Sequence, residues 1–186
     1  MDTRAFGDVL GSLIAAAPLN ELGPGRPIAN DALRSLSVAT AFAGKRVVDE
    51  DAARCCLSGI LLRFDHLNES HALSQDIETA DGSYWHGIMH RREPDYGNGK
   101  YWFRRVGRHA IFPALAEAAA KAAAKQPLDR PAEFLAAGGE WDPYRFIDLC
   151  EAIARGKSQA EALAREVARI EWELLFADCY RRAIGA

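Results

Sequence analysis

The sequence predicts a single all-α domain of about seven helices, and three observations support this prediction. The chain has 186 residues, a length typical of one domain. It contains 34 alanines, and alanine has the highest helix propensity of any residue. Apolar residues make up 49% and charged residues 26%, which is typical of soluble globular proteins and excludes the disordered, collagen-like and membrane classes.

The N-terminal third is predicted to contain two helices joined by an arm. Residues 2–17 form a helix that ends at Pro18. Three prolines and two glycines follow within residues 18–30, and a helix does not tolerate this composition, so we expect a loop or arm there. Asn30 is predicted to cap a helix over residues 31–43.

The middle of the chain is predicted to contain three helical stretches and one irregular segment. Residues 49–79 form a long helical stretch with at most one break. A shorter helix over residues 82–93 must end before Pro94. Residues 95–108 contain a glycine-asparagine-glycine turn signal, and we expect an irregular loop rich in arginine and aromatic residues. A further helix follows over residues 111–125.

The C-terminal part is predicted to end in a buried helix. A short helix over residues 131–137 precedes a helix over residues 143–155, for which Asp142 is the N-cap. A capping-box pattern at residues 158–161 opens the last helix, and Gly185 ends it. This last helix is apolar on more than one face, which is typical of a central, buried helix.

Charge and cysteine pattern indicate the cellular context. The net charge is −3, so the basic excess of a phosphate-backbone binder is missing and nucleic acid is not the expected partner. We find neither a signal-peptide pattern nor a membrane-length apolar run, and we therefore expect a cytoplasmic protein. Four cysteines without a C-x-x-C pair are interpreted as core residues in a reducing compartment: Cys55, Cys56, Cys150 and Cys179.

All five histidines fall between positions 66 and 109. Within the same region, residues 91–108 contain six basic and two acidic side chains. Histidine, arginine and large aromatic residues in a segment that contains a loop are typical of a recognition site. We expect the histidine-rich helix, the polar end of the long helix and the arginine-rich loop to form one pocket.

His86, His90 and Glu93 are the candidate catalytic and metal-binding residues. Their spacing places them on one face of a helix, where two imidazoles and a carboxylate can bind a divalent metal ion such as Zn²⁺ or Fe²⁺. His71 can add a fourth ligand. Gly87 takes the position that glutamate has in the H-E-x-x-H motif, so the zincin pattern is not present.

Three interpretations of this cluster stay open: a metal site, a metal-free polar pocket that uses the histidines, and a set of packed histidines with satisfied hydrogen bonds. For the pocket, further candidate ligand-binding residues are predicted from the basic, aromatic and acidic side chains near the histidines. They are His71, Trp85, Arg91, Arg92, Tyr101, Arg104, Arg105, His109 and Glu171.

Two segments resemble the central motif of a family of uncharacterised bacterial proteins. These segments are the run HGIMHRREPD at residues 86–95 and the run KYWFRRVG at residues 100–107. The resemblance is specific over about residues 65–110. It implies a bacterial protein in which these residues belong to one shared site, and it implies no reaction.

The preferred function is recognition of a small anionic ligand, with metal-assisted or acid-base chemistry as its extension. Histidine suits proton transfer near neutral pH, and arginine neutralises a negatively charged ligand. The alternative is a non-enzymatic structural or interaction protein. In that case the histidines and arginines form an internal hydrogen-bond network, and the arm at residues 18–30 docks on a partner or on a second copy of the chain.

Overall fold

The computed structural model describes residues 1–186, and all its regular elements are helices, which confirms the all-α class. The α-helices are α1 Gly7–Ala16, α2 Asp31–Arg34, α3 Val38–Ala41, α4 Glu50–Arg63, α5 Leu67–Ser74, α6 Ala80–Arg92, α7 Tyr96–Val106, α8 Phe112–Ala123, α9 Pro143–Ala154 and α10 Glu161–Ile184. Two short 3-10 helices, Thr3–Phe6 and Glu133–Ala136, complete the fold. The chain therefore has ten α-helices, where about seven were expected.

Two helical stretches are divided into separate helices, which accounts for part of the difference. The stretch at 31–43 is interrupted before Ser37, which forms a reciprocal capping box with Thr40 and starts α3. The stretch at 49–79 breaks between α4 and α5, where Asp65 adopts a left-handed backbone conformation with φ of 60°. Its carboxylate forms an ion pair with Arg92, so a tertiary contact holds this residue outside the helix.

Helix ends follow the predicted caps at most positions. The Asn30 side chain accepts a hydrogen bond from the backbone N–H of Ala32 at 3.0 Å, and Asp142 caps α9. Gly185 ends α10 with φ of 71°. The capping box predicted at 158–161 is wrong, because the Ser158 hydroxyl donates to a carboxylate oxygen of Asp129 at 2.9 Å and α10 begins only at Glu161.

The expected irregular structure of residues 95–108 is also wrong, because Tyr96–Val106 forms α7. The Asp95 side chain accepts a hydrogen bond from the Asn98 backbone N–H at 3.2 Å and caps this helix. Gly99 lies where α7 packs against α6, and a Cβ atom there would be in ordinary contact, at 3.5 Å, with the Gly87 carbonyl oxygen and the Arg91 nitrogen. Gly97 and Gly99 therefore occur within a helix rather than in a turn.

One hydrophobic cluster of 45 buried residues forms the core. Helix α10 packs against α4, α8 and α9, and residues such as Val167, Leu175 and Phe176 are fully buried. The most enclosed helix is α6, in which every residue from Asp81 to Arg92 is buried. All four cysteines are free and buried, as expected for core residues.

The arm at residues 18–30 lies on the protein's own surface. Its Ile28 N–H donates to the Phe64 carbonyl at 2.8 Å, and the Asn20 amide donates to the Arg63 carbonyl at 3.0 Å.

None of the helices combines the length and the apolar composition that crossing a bilayer requires.

Candidate metal centre

Three consecutive helices each contribute two side chains, spaced three or four residues apart, to one cluster. This spacing places side chains on the same face of a helix, and the pairs of α5 and α7 both contact the pair of α6. The pairs are His71 and Ser74 of α5, His86 and His90 of α6, and Asn98 and Trp102 of α7. We call these six residues the histidine cluster.

The three imidazole rings of the histidine cluster are in mutual contact. The Nε2 atoms of His86 and His90 are 3.0 Å apart, and the ring of His71 lies 4.6 Å from that of His86 between centroids. One nitrogen from each ring can be chosen so that all three lie within 4.8 Å of one another. The Trp102 ring covers His86, with a centroid separation of 4.0 Å.

Oxygen atoms lie on the far side of both inner rings. The Ser74 hydroxyl donates to the Ser70 carbonyl at 2.8 Å, which leaves it able to accept from Nδ1 of His86 at 2.9 Å. Nδ1 of His90 lies 3.3 Å from a carboxylate oxygen of Glu93. In this arrangement Nε2 of His86 carries a lone pair that faces His90.

The Nε2 atoms of His86 and His90 face each other at hydrogen-bond distance, 3.0 Å. The metal-free rings satisfy this contact when Nε2–H of one ring donates to Nε2 of the other. The Asn98 amide nitrogen lies 3.1 Å from Nε2 of His90. A metal ion between the rings would replace the shared proton and bind both Nε2 lone pairs.

Burial opposes protonation of the two rings. It is the largest of the effects that together lower the pKa of His86 to about 3, and the neighbouring His90 and His71 act in the same direction. Burial also lowers the pKa of His90, although the carboxylate of Glu93 acts in the opposite direction. Both rings are therefore neutral near pH 7, which is the protonation state that binds metal ions.

The histidine cluster lies one side chain below the surface. His86 is 2% exposed and His90 is 5% exposed, while His71, Asn98 and Trp102 are half-buried and form the outer layer. The inner rings are therefore largely shielded from solvent. The hydrophobic shell around a metal site controls its solvent access and dielectric environment.

Glu93 occupies a different position from that expected of a metal ligand. It is the C-cap residue of α6, and its carboxylate contacts Nδ1 of His90, away from the Nε2 atoms that face each other. Carboxylates in this position fix the orientation of a metal-binding histidine and increase its basicity. The ligand set that the structure brings together is His71, His86 and His90.

Arg91 and Arg92 do not reach the histidine cluster. Arg91 forms a buried ion pair with Glu171, with nitrogen-oxygen distances of 3.3 and 2.5 Å, and the Tyr84 hydroxyl donates to the same carboxylate at 3.0 Å. Arg92 pairs with Asp65. Both guanidinium groups and Glu171 are thus neutralised within the core.

Trp85 and His109 also lie outside the histidine cluster. Trp85 is fully buried and packs against Trp172, with centroids 6.1 Å apart. Nε2 of His109 lies 2.9 Å from the carboxylate of Asp81. The sequence predicts one pocket for all of these residues. The structure brings three of the histidines together, but Trp85, His109 and the two arginines of α6 lie elsewhere.

The exposed face of α7 carries two cations next to the histidine cluster. Arg105 lies over the Trp102 ring at 5.1 Å, and Arg104 lies over the exposed Tyr101 ring at 5.7 Å. Neither guanidinium has a carboxylate within 4.0 Å among the ion pairs of the chain. Phe103, which lies between Trp102 and Arg104 in sequence, is buried in the core.

Ser74, Asn98 and Trp102 belong to the histidine cluster but are not among the site residues predicted from the sequence. The signal that could have found them is the spacing of each relative to its helical partner: three residues from His71 to Ser74, and four from Asn98 to Trp102. For Asn98 and Trp102 this signal becomes readable only when α7 is recognised as a helix.

Comparison with models of protein families, with curated proteins and with solved structures finds no match for this chain. The resemblance of residues 86–107 to a bacterial family therefore stays a prediction, and the function is argued from the geometry of the chain itself.

Proposed function

We propose that the protein binds one divalent metal ion through Nε2 of His86, Nε2 of His90 and a ring nitrogen of His71. The observation that carries this proposal is the convergence of three imidazoles whose nitrogens lie within 4.8 Å of one another, with the Nε2 atoms of His86 and His90 3.0 Å apart. Three imidazoles form the ligand set of some catalytic zinc sites, in which water occupies the remaining position.

The distances require only small movements on binding. Two imidazole nitrogens on a tetrahedral zinc ion, each at about 2.0–2.1 Å, are separated by roughly 3.3 Å. The His86 and His90 nitrogens, at 3.0 Å, are already close to this value. His71 must approach by on the order of 1–2 Å to reach the same geometry, and its side chain is the least buried of the three.

A small anion is the ligand that the surroundings favour at the open position. The divalent ion itself contributes positive charge, and Arg105 beside Trp102 adds a guanidinium with no carboxylate partner. Arginine and a metal ion together bind carboxylate or phosphate groups well. When bound, the metal ion would polarise such a ligand or lower the pKa of a coordinated water molecule.

Metal content and titration test this proposal directly. Protein purified without a histidine tag is stripped with a chelator, and Zn²⁺ is titrated by calorimetry. We expect one equivalent of Zn²⁺ to bind, and we expect His90→Ala and His71→Ala to abolish that binding. His66→Ala is the matched control, because His66 lies at the start of the same helix as His71 but contacts Glu69 and the Ile28 carbonyl instead.

A non-enzymatic role for the histidine cluster predicts a different result. If the rings form only an internal hydrogen-bond network, wild-type protein binds no stoichiometric Zn²⁺, and His90→Ala changes stability alone. Equal Zn²⁺ binding by wild type, His71→Ala and His90→Ala would also reject the proposed ligand set. Because His71 is half-buried, its alanine variant is expected to fold, which keeps the test informative if His90→Ala does not.

A further inference from the structure

A second candidate site lies on the opposite face of α6 from the histidine cluster. Residues Ile88 and Arg92 are two positions beyond His86 and His90, which turns them to the other side of the helix. A cavity of about 40 Å³ lies there, between the arm and helices α4, α6 and α10. Its outer wall is residues 19–22 of the arm, of which Leu19 and Glu21 are exposed.

Five arginines line this cavity, together with an apolar wall formed by residues such as Leu62, Ile88 and Trp172. Four of the five face a carboxylate, and these pairs are Arg91 with Glu171, Arg92 with Asp65, Arg165 with Glu21, and Arg169 with Glu173. The fifth, Arg63, has no carboxylate within 4.0 Å. The cavity wall therefore carries one uncompensated positive charge, and that charge lies on Arg63.

Arg63 is also poorly satisfied as a hydrogen-bond donor. Its two terminal nitrogens reach the Asn20 side-chain oxygen and the Ala17 carbonyl only at 3.5 Å, the outer limit of a hydrogen bond. Its Nε is buried without a partner, and so is Nε of Arg92. Arg92 is 6% exposed, so no bulk water reaches its unpaired donor. Unmade hydrogen bonds of buried charged groups are costly.

The surroundings of Arg63 also disfavour its charged form. Burial is the largest effect on Arg63 and lowers its pKa, and although Glu173 acts in the opposite direction, the charges of Arg169 and Arg92 reinforce the lowering. Arginine nevertheless stays protonated in proteins. The half-buried guanidinium lies over the Trp172 ring at 5.2 Å, and a bound anion would supply the counter-ion that it lacks.

We propose that this cavity binds a small monocarboxylate, with its oxygens on the guanidinium of Arg63 and its short apolar part against Leu62, Ile88 and Trp172. A cavity that holds one water needs about 10–15 Å³, so 40 Å³ accommodates only a few non-hydrogen atoms. The single uncompensated charge matches a monovalent anion, and the planar guanidinium fork matches a carboxylate. Phosphate and sulfate are larger and carry more charge than the wall leaves unpaired.

Thermal unfolding with a series of sodium salts tests this assignment. Formate, acetate and propionate are compared with chloride, sulfate and phosphate at equal ionic strength. We expect the carboxylates to raise the melting temperature in a saturable way, whereas chloride at the same ionic strength does not. Arg63→Met is expected to weaken carboxylate binding on the order of ten- to a hundredfold, because a hydrogen-bonded charge is lost.

Two further variants show whether the effect is specific to the guanidinium of Arg63. The double variant Arg169→Gln with Glu173→Gln removes an ion pair from the same cavity without changing its net charge, and we expect carboxylate binding to persist. Arg63→Lys retains the charge but loses the planar fork, so it should bind more weakly than wild type and more tightly than Arg63→Met. This variant serves as the test if Arg63→Met does not fold.

Several results would overturn the proposal. They are the absence of saturable stabilisation by carboxylates, equal affinity in wild type and Arg63→Met or Arg63→Lys, and stronger stabilisation by sulfate or phosphate than by acetate. The titration is run on metal-free and on Zn²⁺-treated protein, and equal acetate affinity is expected because the two sites lie on opposite faces of α6. Acetate binding that depends on Zn²⁺ would place the anion at the histidine cluster and reject this cavity.

Discussion

His86 and His90 face each other through their Nε2 atoms at 3.0 Å, while Ser74 and Glu93 hold the opposite nitrogens of the two rings. The four-residue spacing on α6 brings the two rings together, and the partners from α5 and from the end of α6 hold their outer nitrogens. With His71 beside them, the inner nitrogens form the only group of three potential metal ligands that meet at one point in the chain.

Ser74→Ala is expected to weaken Zn²⁺ binding by about 10- to 100-fold without abolishing it. The hydroxyl of Ser74 orients His86, and removal of such an outer partner typically has an effect of this size. Calorimetric titration measures the change. Ser70→Ala is the matched control, since Ser70 is a buried serine on the same helix whose hydroxyl donates to the Ser58 carbonyl at 3.2 Å. Equal losses in the two variants would contradict a specific role for Ser74.

Glu171→Leu is expected to lower the free energy of unfolding by about 3–5 kcal/mol, because it leaves the buried guanidinium of Arg91 without its counter-ion. Denaturant unfolding measures this loss. Glu173→Leu, two residues further along α10, should cost no more than about 1 kcal/mol, since its pair with Arg169 is partly exposed.

The double variant Arg91→Met with Glu171→Leu supplies a second check on this ion pair. It should recover much of the stability that Glu171→Leu loses, because a buried pair replaced by apolar residues is often neutral or stabilising. If the single and double variants are equally unstable, the loss arises from packing around Glu171 rather than from the unpaired charge.

Gly87→Ala is expected to destabilise the protein by about 1–3 kcal/mol, the usual cost of overpacking a core. A Cβ atom at this position would lie 2.8 Å from the Phe103 ring, and the gain in helix propensity, about 1 kcal/mol, is smaller. Gly99→Ala is the control, because its Cβ would meet only ordinary contacts at 3.5 Å. We expect Gly99→Ala to be neutral or stabilising in thermal unfolding. The reverse order of the two variants would contradict this packing argument.

Stability is expected to fall as the pH drops below about 4, in part because of Asp81. Burial alone would raise the pKa of this carboxyl, but the hydrogen bond from His109 and the charge of Arg182 outweigh burial and lower it. The folded pKa is therefore below the unfolded value, so the stabilisation is present above pH 4 and is lost as the pH falls through the folded pKa.

Denaturant unfolding between pH 2 and pH 7 measures this contribution. Asp81→Asn should reduce the acid-dependent loss of stability, because the asparagine amide does not titrate. Arg182→Gln should move the loss towards higher pH, because one of the charges that lower the pKa of Asp81 is removed. A wild-type profile identical to that of Asp81→Asn would show that this carboxyl does not contribute.

The sequence predicts the fold class well because helix signals are local. Alanine content, the apolar stripes and caps such as Asn30 and Asp142 depend on residues close together in the chain. The errors occur where a distant residue decides: Arg92 holds Asp65 outside the helix, and Asp129 draws Ser158 away from its predicted capping box.

The candidate site is predictable only in part, for the same reason. The spacing of His86 and His90 places them on one face, and His71 is recognisable as a neighbour on a polar helix surface. Glu93 shares that face, yet the structure places its carboxylate behind His90. Arg91 and Arg92 follow His90 directly, but helical geometry turns them towards Glu171 and Asp65.

The sequence by itself determined that the chain is helical and that its histidines concentrate in one region, because composition and spacing along a single helix are sufficient for both. Tertiary structure alone decided which of the histidines meet, which nitrogens face inward, and that Arg63 lacks a counter-ion. These properties depend on how α5, α6, α7 and the arm pack against one another, and distances between separate segments are not contained in the periodicity of any one of them.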